Sequence, residues 1–354
     1  MRLTGWVTLT AVTLLLTACQ RWGTAHYNLS GSTMGTYYSI TLATQKAPSE
    51  ALEKQINTRL ASISLQMSTW RPDSQISQFN ALTAATEYTL GVDFLRVMQR
   101  ALEISKLTQG AFDPTVMPLV TLWGFGPVPR SSSTVPPAEA LAAAHSVVGY
   151  QQLTLVGDKL KKSQAGVHLD LSAIAKGYAV DAVSELLIAE GYQNHIVDIG
   201  GEVRARGKRK DSNPWRVGVV NPALVQQVIN HHAVGATEDS DPLTSSSQPQ
   251  TVIYLRDRAV ATSGDYLNYF EFEGRRYSHV IDPATGYPAD SQTASVTVVA
   301  ADCMSADALA TALMVMSPAS ALTLANRENI AVYLIIRDGE GFRVEMSEAF
   351  KQLN

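Results

Sequence analysis

The sequence is poor in cysteine, in charged residues and in long hydrophobic runs. It contains 2 cysteines, Cys19 and Cys303, in 354 residues, and no internal disulfide is possible if Cys19 is modified as suggested below. Charged residues make up 17% and hydrophobic residues 45%, so the chain is expected to fold on a hydrophobic core alone. The formal net charge is −4, and the one basic run, residues 204–210, reads more readily as a solvated hairpin than as a nucleic-acid surface. We therefore expect no nucleic-acid partner.

Several common catalytic motifs are also missing. The sequence has no Walker A segment, no GxGxxG after a strand, no GxSxG elbow and no HExxH. The only adjacent histidine pair, His231 and His232, lies in a polar stretch, so a zinc site is not expected. No internal repeat of about 20–50 residues is present.

The first residues are typical of a bacterial lipoprotein signal. Arg2 is followed by an apolar stretch at residues 7–16, too short to span a bilayer, and then by the sequence LTAC ending at Cys19. We expect a signal peptide at 1–18, acylation of Cys19, and a lipidated N-terminus and linker at 19–31. Each buried methylene of the acyl chains would add roughly 0.8 kcal/mol to anchoring. The alternative is an ordinary secretory signal with an incidental cysteine.

The pattern of apolar residues predicts an α+β fold with mixed or antiparallel sheets and packed helices. Strands occur in hairpin-like runs as well as after helices, which favours this class over a doubly wound one. We expect one catalytic domain at 32–354, in which the polar stretch 222–250 is a flexible insertion. Helices are expected at 49–67, 92–108, 137–146, 173–189 and 304–316. Strands are expected at 36–42, 152–156, 159–162, 167–171, 195–199, 202–206, 215–220, 251–255, 259–262, 266–273, 277–281 and 295–300.

Asp307 and Thr311 form a candidate metal site. They are four residues apart, so on a helix they project from the same face. A carboxylate and a hydroxyl are hard oxygen ligands of the kind that magnesium takes. The alternative is an ordinary helix start in which Thr311 bonds its own backbone.

Two further residues are candidates for chemistry. Lys176 lies near the start of a predicted helix, where it opposes the macrodipole, and this placement suits a lysine that meets an anion over the helix N-terminus. His279, on the predicted strand 277–281, could act as a general base near neutral pH. The alternatives are a solvated surface lysine and a core or edge histidine bonded to the backbone.

Eight segments together, in order, resemble the ApbE family of FAD:protein FMN transferases. They are STMGT (32–36), SQFN (77–80), GAFDP (110–114), DLSAIAKGY (170–178), DIGG (198–201), ATSG (261–264), SHVIDPATGYP (278–288) and ADALAT (306–311). The resemblance covers residues 32–316. It implies an α+β fold related to the tunnelling fold, FAD as substrate, and a magnesium ion on the FAD pyrophosphate.

The resemblance also assigns roles to residues. The implied magnesium ligands are Asp307, Thr311 and the main-chain oxygen of Ala173, and His279 becomes the candidate base. The residues at flavin-nucleotide positions are Met34, Trp70, Ala111, Phe112, Asp113, Asp170, Lys176 and Ile281. Trp70 departs from the family pattern, which commonly has tyrosine there. A ring remains available for stacking, but the hydroxyl is absent.

The implied reaction transfers FMN from FAD to a threonine or serine hydroxyl of another protein, and AMP leaves. Implied acceptors are flavoproteins such as subunits of sodium-pumping NADH:quinone reductases or Rnf-type complexes. Because such acceptors lie in the inner membrane, we expect this protein on its periplasmic side, although Gln20 does not exclude the outer membrane. The alternatives are a magnesium-dependent FAD pyrophosphatase, which yields FMN and AMP, and a non-enzymatic FAD-binding lipoprotein.

Overall fold

The computed structural model describes residues 24–84, 86–127, 134–220, 250–265, 268–289, 292–339 and 341–353. Cys19, the signal sequence and residues 222–249 of the expected insertion lie outside these ranges. Within the described ranges, every helix is too short or too polar to cross a bilayer.

The described helices and strands alternate in an order that brings distant segments together. The helices are α1 (Glu50–Met67), α2 (Gln75–Asn80), α3 (Val92–Leu107), α4 (Met117–Trp123), α5 (Ala138–His145), α6 (Ser172–Ala189), α7 (Cys303–Val315), α8 (Pro318–Arg327) and α9 (Glu348–Lys351). The strands are β1 (Ala25–Thr33), β2 (Thr36–Thr44), β3 (Tyr88–Thr89), β4 (Leu153–Val156), β5 (Lys159–Lys162), β6 (His195–Ile199), β7 (Glu202–Arg206), β8 (Trp215–Val219), β9 (Thr251–Leu255), β10 (Arg258–Gly264), β11 (Tyr269–Phe272), β12 (Arg275–Ser278), β13 (Thr293–Ala300), β14 (Ala331–Asp338) and β15 (Gly341–Met346).

One large sheet organises the fold. Its strand order is β1-β2-β6-β7-β10-β13-β14-β15, and every pairing between named strands in the described residues is antiparallel. Three smaller sheets join β11 to β12, β8 to β9, and β3 and β4 to β5. The α+β class is therefore confirmed, and of the two sheet types considered the antiparallel one is found.

Both faces of the large sheet are covered, which explains why β13 and β14 are almost continuously buried. Seven of the eight β13 residues are buried, although side chains alternate between the faces. Helices α6 and α7 pack on one face in the larger core, while Trp215 and Leu255 of the β8–β9 hairpin and Phe350 of α9 pack on the other. The helix-covered face carries the larger core.

Helices α6 and α7 approach each other closely at Gly177. A Cβ atom built on Gly177 would lie 2.3 Å from the carbonyl oxygen of Cys303 and 2.8 Å from Cβ of Asp307. The Gly177 N–H donates to Asp307 Oδ2 at 3.0 Å. In α-helical geometry that N–H also points at the Ala173 carbonyl. This contact places the first turns of α6 next to Asp307.

The structure differs from the sequence expectations at several elements. Residues 25–31, expected as linker, belong to β1, which pairs with β2 along its whole length. Residues 167–171 form no strand but a single parallel bridge between His168 and Val116. Strand β12 ends at Ser278, so His279 lies beyond it. The sequence expectations also did not include α2, α4 or the elements after α7.

We expect Gly177→Ala to lower the free energy of unfolding by about 2 kcal/mol, the usual scale of overpacking. The added methyl group would meet backbone, which cannot rotate away. Urea unfolding measures the change. Gly166→Ala is the matched control, because the three atoms nearest to its Cβ would all belong to the side chain of Val147. A loss no larger in Gly177→Ala than in Gly166→Ala would contradict the close helix contact.

Candidate active site

A cavity of about 450 Å³ opens beside the N-terminal half of α6. Eleven of the twelve predicted site residues line it: Trp70, Ala111, Phe112, Asp113, Asp170, Ala173, Lys176, His279, Ile281, Asp307 and Thr311. They come from α6, α7 and four loops that are far apart in the chain. The structure therefore gathers in one place almost every residue that the sequence singled out.

Met34 is the exception. It lies in the turn between β1 and β2, has a positive φ of 50°, and packs against the larger core. It is not among the residues that line the cavity. Its assignment to the nucleotide site stays a prediction that this structure does not support by contact.

Three charged side chains meet at the floor of the cavity. The half-buried Lys176 ammonium donates to Oε1 of Glu202, and Asp307 lies close enough to influence the pKa of both groups. Burial raises the pKa of Glu202 and of Asp307, and each carboxylate is also affected by Lys176, which lowers its pKa. Lys176 is thus not a solvated surface lysine. It stands between two buried carboxylates.

Glu202 is the site residue that sequence reasoning missed. It is the first residue of β7 and follows a tight turn in which Gly200 and Gly201 both have positive φ. This turn, which glycine adopts without strain, places Glu202 opposite Ile199 on the neighbouring strand. An acidic residue directly after a glycine pair between two predicted strands was the available signal.

One side of the floor is rich in oxygen atoms. The Thr311 hydroxyl lies 3.1 Å from the Ser263 hydroxyl, and Asp307 is 4% exposed with one hydrogen bond, from Gly177. No group of three or more histidine, cysteine, aspartate or glutamate side chains suited to a metal occurs in the described part of the chain. A carboxylate, a hydroxyl and a main-chain carbonyl instead make an all-oxygen set, which suits a hard cation such as Mg²⁺. The excess of carboxylates over ammonium at the floor also fits a cation.

His279 has the tautomer that a general base needs. Its Nδ1 lies 3.0 Å from the carbonyl oxygen of Asn268, which only accepts, so Nδ1 carries the hydrogen and Nε2 keeps its lone pair. Phe125 packs edge-on against the ring. Burial lowers the pKa of His279, with Lys176 acting in the same direction and Asp265 and the Asn268 carbonyl opposing. The neutral form therefore predominates at neutral pH.

The carboxylates of Asp113 and Asp170 stabilise the cavity wall through hydrogen bonds. Asp113 Oδ1 accepts from the Thr115 N–H and hydroxyl, and Oδ2 accepts from the Tyr150 N–H at 2.7 Å. Asp170 Oδ1 accepts from the N–H and hydroxyl of Ser172. Ser172 is the first residue of α6, and Asp170 satisfies its N–H.

Two aromatic rings stand at the edge of the cavity. Trp70 is 69% exposed although it lines the cavity, and Phe125, in the loop after α4, lines the cavity too. A large exposed indole beside a concave site is free to stack on a planar ligand. The position is consistent with the stacking role expected for Trp70.

Comparison with known proteins points to one family. The model of the ApbE family matches residues 34–334. Two curated proteins, each named FAD:protein FMN transferase, are 40% identical to the chain: that of Vibrio cholerae over 98% of both chains, and that of Haemophilus influenzae over 97% of this chain and 95% of its own.

Solved structures show the same likeness. The flavin transferase ApbE from Vibrio cholerae superposes with a TM-score of 0.82 at 39% identity, covering 94% of this chain and 100% of its own. The Pseudomonas stutzeri flavinyl transferase ApbE, apo form, gives 0.82 at 37% identity, covering 94% and 97%. The resemblance read from the sequence motifs is confirmed.

We expect Asp113→Asn to lower the melting temperature and the free energy of unfolding, by about 1–3 kcal/mol. An amide nitrogen in place of one carboxylate oxygen cannot accept from both the Thr115 groups and the Tyr150 N–H. Thermal and urea unfolding measure the effect. Asp158→Asn, in the exposed turn between β4 and β5, is the control. Equal stability of the two variants would show that Asp113 does not hold the cavity wall.

Proposed function

The chain belongs to the ApbE family, and from this premise we propose that it is a transferase that moves FMN from FAD to a hydroxyl side chain of an acceptor protein. One observation carries the proposal. A single cavity brings a neutral histidine with a free Nε2 together with a lysine and an oxygen-rich floor. In such a reaction the histidine can act as the base, the lysine can bind the phosphates, and the oxygen atoms of the floor can bind a cation.

The reaction exchanges one phosphorus–oxygen bond for another. The acceptor hydroxyl oxygen bonds to the phosphorus on the FMN side, and its proton passes to Nε2 of His279. The bond from that phosphorus to the bridging oxygen breaks, and AMP leaves with the bonding electrons. Lys176 orients the pyrophosphate and offsets its charge, while the buried walls limit the access of water.

Magnesium is the cofactor that the site fits best. Asp307, Thr311 and the main-chain oxygen of Ala173 would hold it, since all three residues line the cavity and each offers an oxygen donor. When bound, Mg²⁺ would neutralise charge on the pyrophosphate during phosphoryl transfer.

The location and the acceptor are also part of the proposal. Acylation at Cys19 would anchor the protein to the inner membrane on its periplasmic side, close to acceptors such as subunits of sodium-pumping NADH:quinone reductases or Rnf-type complexes. The lipoprotein-like sequence that ends at Cys19 supports the anchor. Membrane fractionation of the wild-type protein and of Cys19→Ala tests it, since the variant is expected in the soluble fraction.

Incubation with FAD, Mg²⁺ and an acceptor protein tests the transferase activity. We expect the acceptor mass to rise by one FMN less one water as AMP appears in equal amount. AMP with free FMN and unchanged acceptor mass would instead identify an FAD pyrophosphatase, and FAD binding without AMP would identify a storage protein. An acceptor whose target hydroxyl is removed is the control.

We expect His279→Ala to lower the transfer rate by about 10²–10⁴-fold while FAD still binds, because the base is lost and the cavity floor is intact. His26→Ala, on the exposed strand β1, is the matched control. Single-turnover assays and FAD titration separate the two effects. A transfer rate in His279→Ala equal to that of His26→Ala would remove His279 from the base role.

The pH dependence of transfer gives a second test of His279. The base must be neutral, and burial places the pKa of His279 below 6.5. The midpoint of the decline in rate at acid pH should therefore lie below pH 6.5. The pH profile of kcat/KM measures this midpoint. A midpoint above pH 6.5 in the wild-type protein would contradict a buried neutral base.

A further inference from the structure

Glu202 has one oxygen atom whose role the reaction described above does not explain. The residue is 4% exposed and lines the cavity. Its Oε1 accepts from the Lys176 ammonium, but its Oε2 is buried and has no hydrogen-bond partner among the described residues. A buried carboxylate oxygen without a donor is unfavourable, so it is expected to meet a donor when the site is in use.

The charges around Glu202 indicate the nature of that donor. Lys176 is the ammonium at the floor, and it faces two carboxylates, those of Glu202 and Asp307. Burial and the nearby Asp307 raise the pKa of Glu202, so its anionic form lacks enough positive charge nearby. A cation or its bound water meets this need, whereas a phosphate oxygen would add further negative charge.

The chemistry of magnesium supplies a suitable donor. Mg²⁺ sheds water reluctantly and usually keeps several water molecules while it binds one or two carboxylates. Water bound to a cation is polarised and donates strongly. Carboxylates that accept from such outer positions orient the ligands and raise the affinity for the metal.

We propose that Glu202 is a positioning residue for the divalent cation, accepting from its hydration water through Oε2 while Oε1 holds Lys176. Asp307 then binds the cation directly, and Glu202 contacts it through a water molecule. This inference rests on the proposed function, because it assumes the magnesium site at Ala173, Asp307 and Thr311. It adds a second carboxylate to that site.

A simpler role for Glu202 would be to neutralise Lys176. In that case its effect on the cation would depend on Lys176 being present. If Glu202 instead acts on the cation, its effect should persist when Lys176 is replaced. A double-mutant cycle separates the two roles, since it compares the same change in two backgrounds.

The cycle uses wild type, Glu202→Gln, Lys176→Met and the double variant. Glutamine keeps the size of the side chain and one acceptor oxygen, but it loses the charge and places an amide group at the second oxygen. Mg²⁺ is titrated by calorimetry into each protein with FAD at a concentration that saturates that variant. FAD affinity is measured first, in the presence of a chelator, and thermal unfolding confirms that each variant folds.

We expect Glu202→Gln to weaken Mg²⁺ binding about 10–100-fold in both backgrounds, the range for lost second-layer carboxylates. Equal Mg²⁺ affinity of Lys176→Met and the double variant would overturn the proposal, because Glu202 would then act only through Lys176. Absence of Mg²⁺ binding in the wild-type protein would instead reject the magnesium site itself.

A second variant keeps the test decisive if Glu202→Gln does not fold. Glu202→Asp retains the charge but withdraws the carboxylate by one methylene. We expect it to weaken Mg²⁺ binding at least 10-fold, as misplacement of an outer carboxylate would. Wild-type affinity in Glu202→Asp would contradict a role that depends on the position of Oε2.

Discussion

The site depends on the close contact between α6 and α7 at Gly177. Glycine is needed there because the Cys303 carbonyl occupies the space of a side chain. The same approach lets the Gly177 N–H reach Asp307, so one backbone amide joins the helix that carries Lys176 to the helix that carries Thr311. Two residue groups that lie about 130 positions apart in sequence thereby share one cavity floor.

A second buried carboxylate, that of Asp181, connects the same two helices to each other and to β7. Asp181 of α6 accepts from the N–H groups of Cys303 and Met304 at the start of α7, and it pairs with Arg204 of β7. Free N–H groups at a helix start favour a negative partner, which explains why this aspartate is tolerated at 2% exposure. Because Arg204 lies two residues after Glu202, the same strand face carries both ion pairs. The helix contact and the charge arrangement at the site therefore stabilise each other.

The features that depend on hydrophobic periodicity and residue spacing could be predicted from the sequence. The α+β class, the helical spacing of Asp307 and Thr311, and Lys176 near the start of α6 all follow from local pattern. Glu202 could not be found this way, since its pairing with Lys176 crosses from strand to helix. The strand expected for His279 was wrong because the chain leaves β12 at Ser278, one residue earlier. The family motifs identified residues 111–113, whose role in the wall depends on non-local contacts.

The charge balance of the floor indicates how substrate and cation depend on each other. Two buried carboxylates face one ammonium, burial raises the pKa of both, that of Glu202 to about 8, and their ionised forms would repel a dianionic pyrophosphate. A divalent cation reverses this balance, so that Lys176 and the cation together attract the nucleotide. Binding of the cation and of FAD should then be cooperative, and reciprocally so. Such coupling brings the positive charge and the phosphorus that is attacked into the cavity together, beside His279.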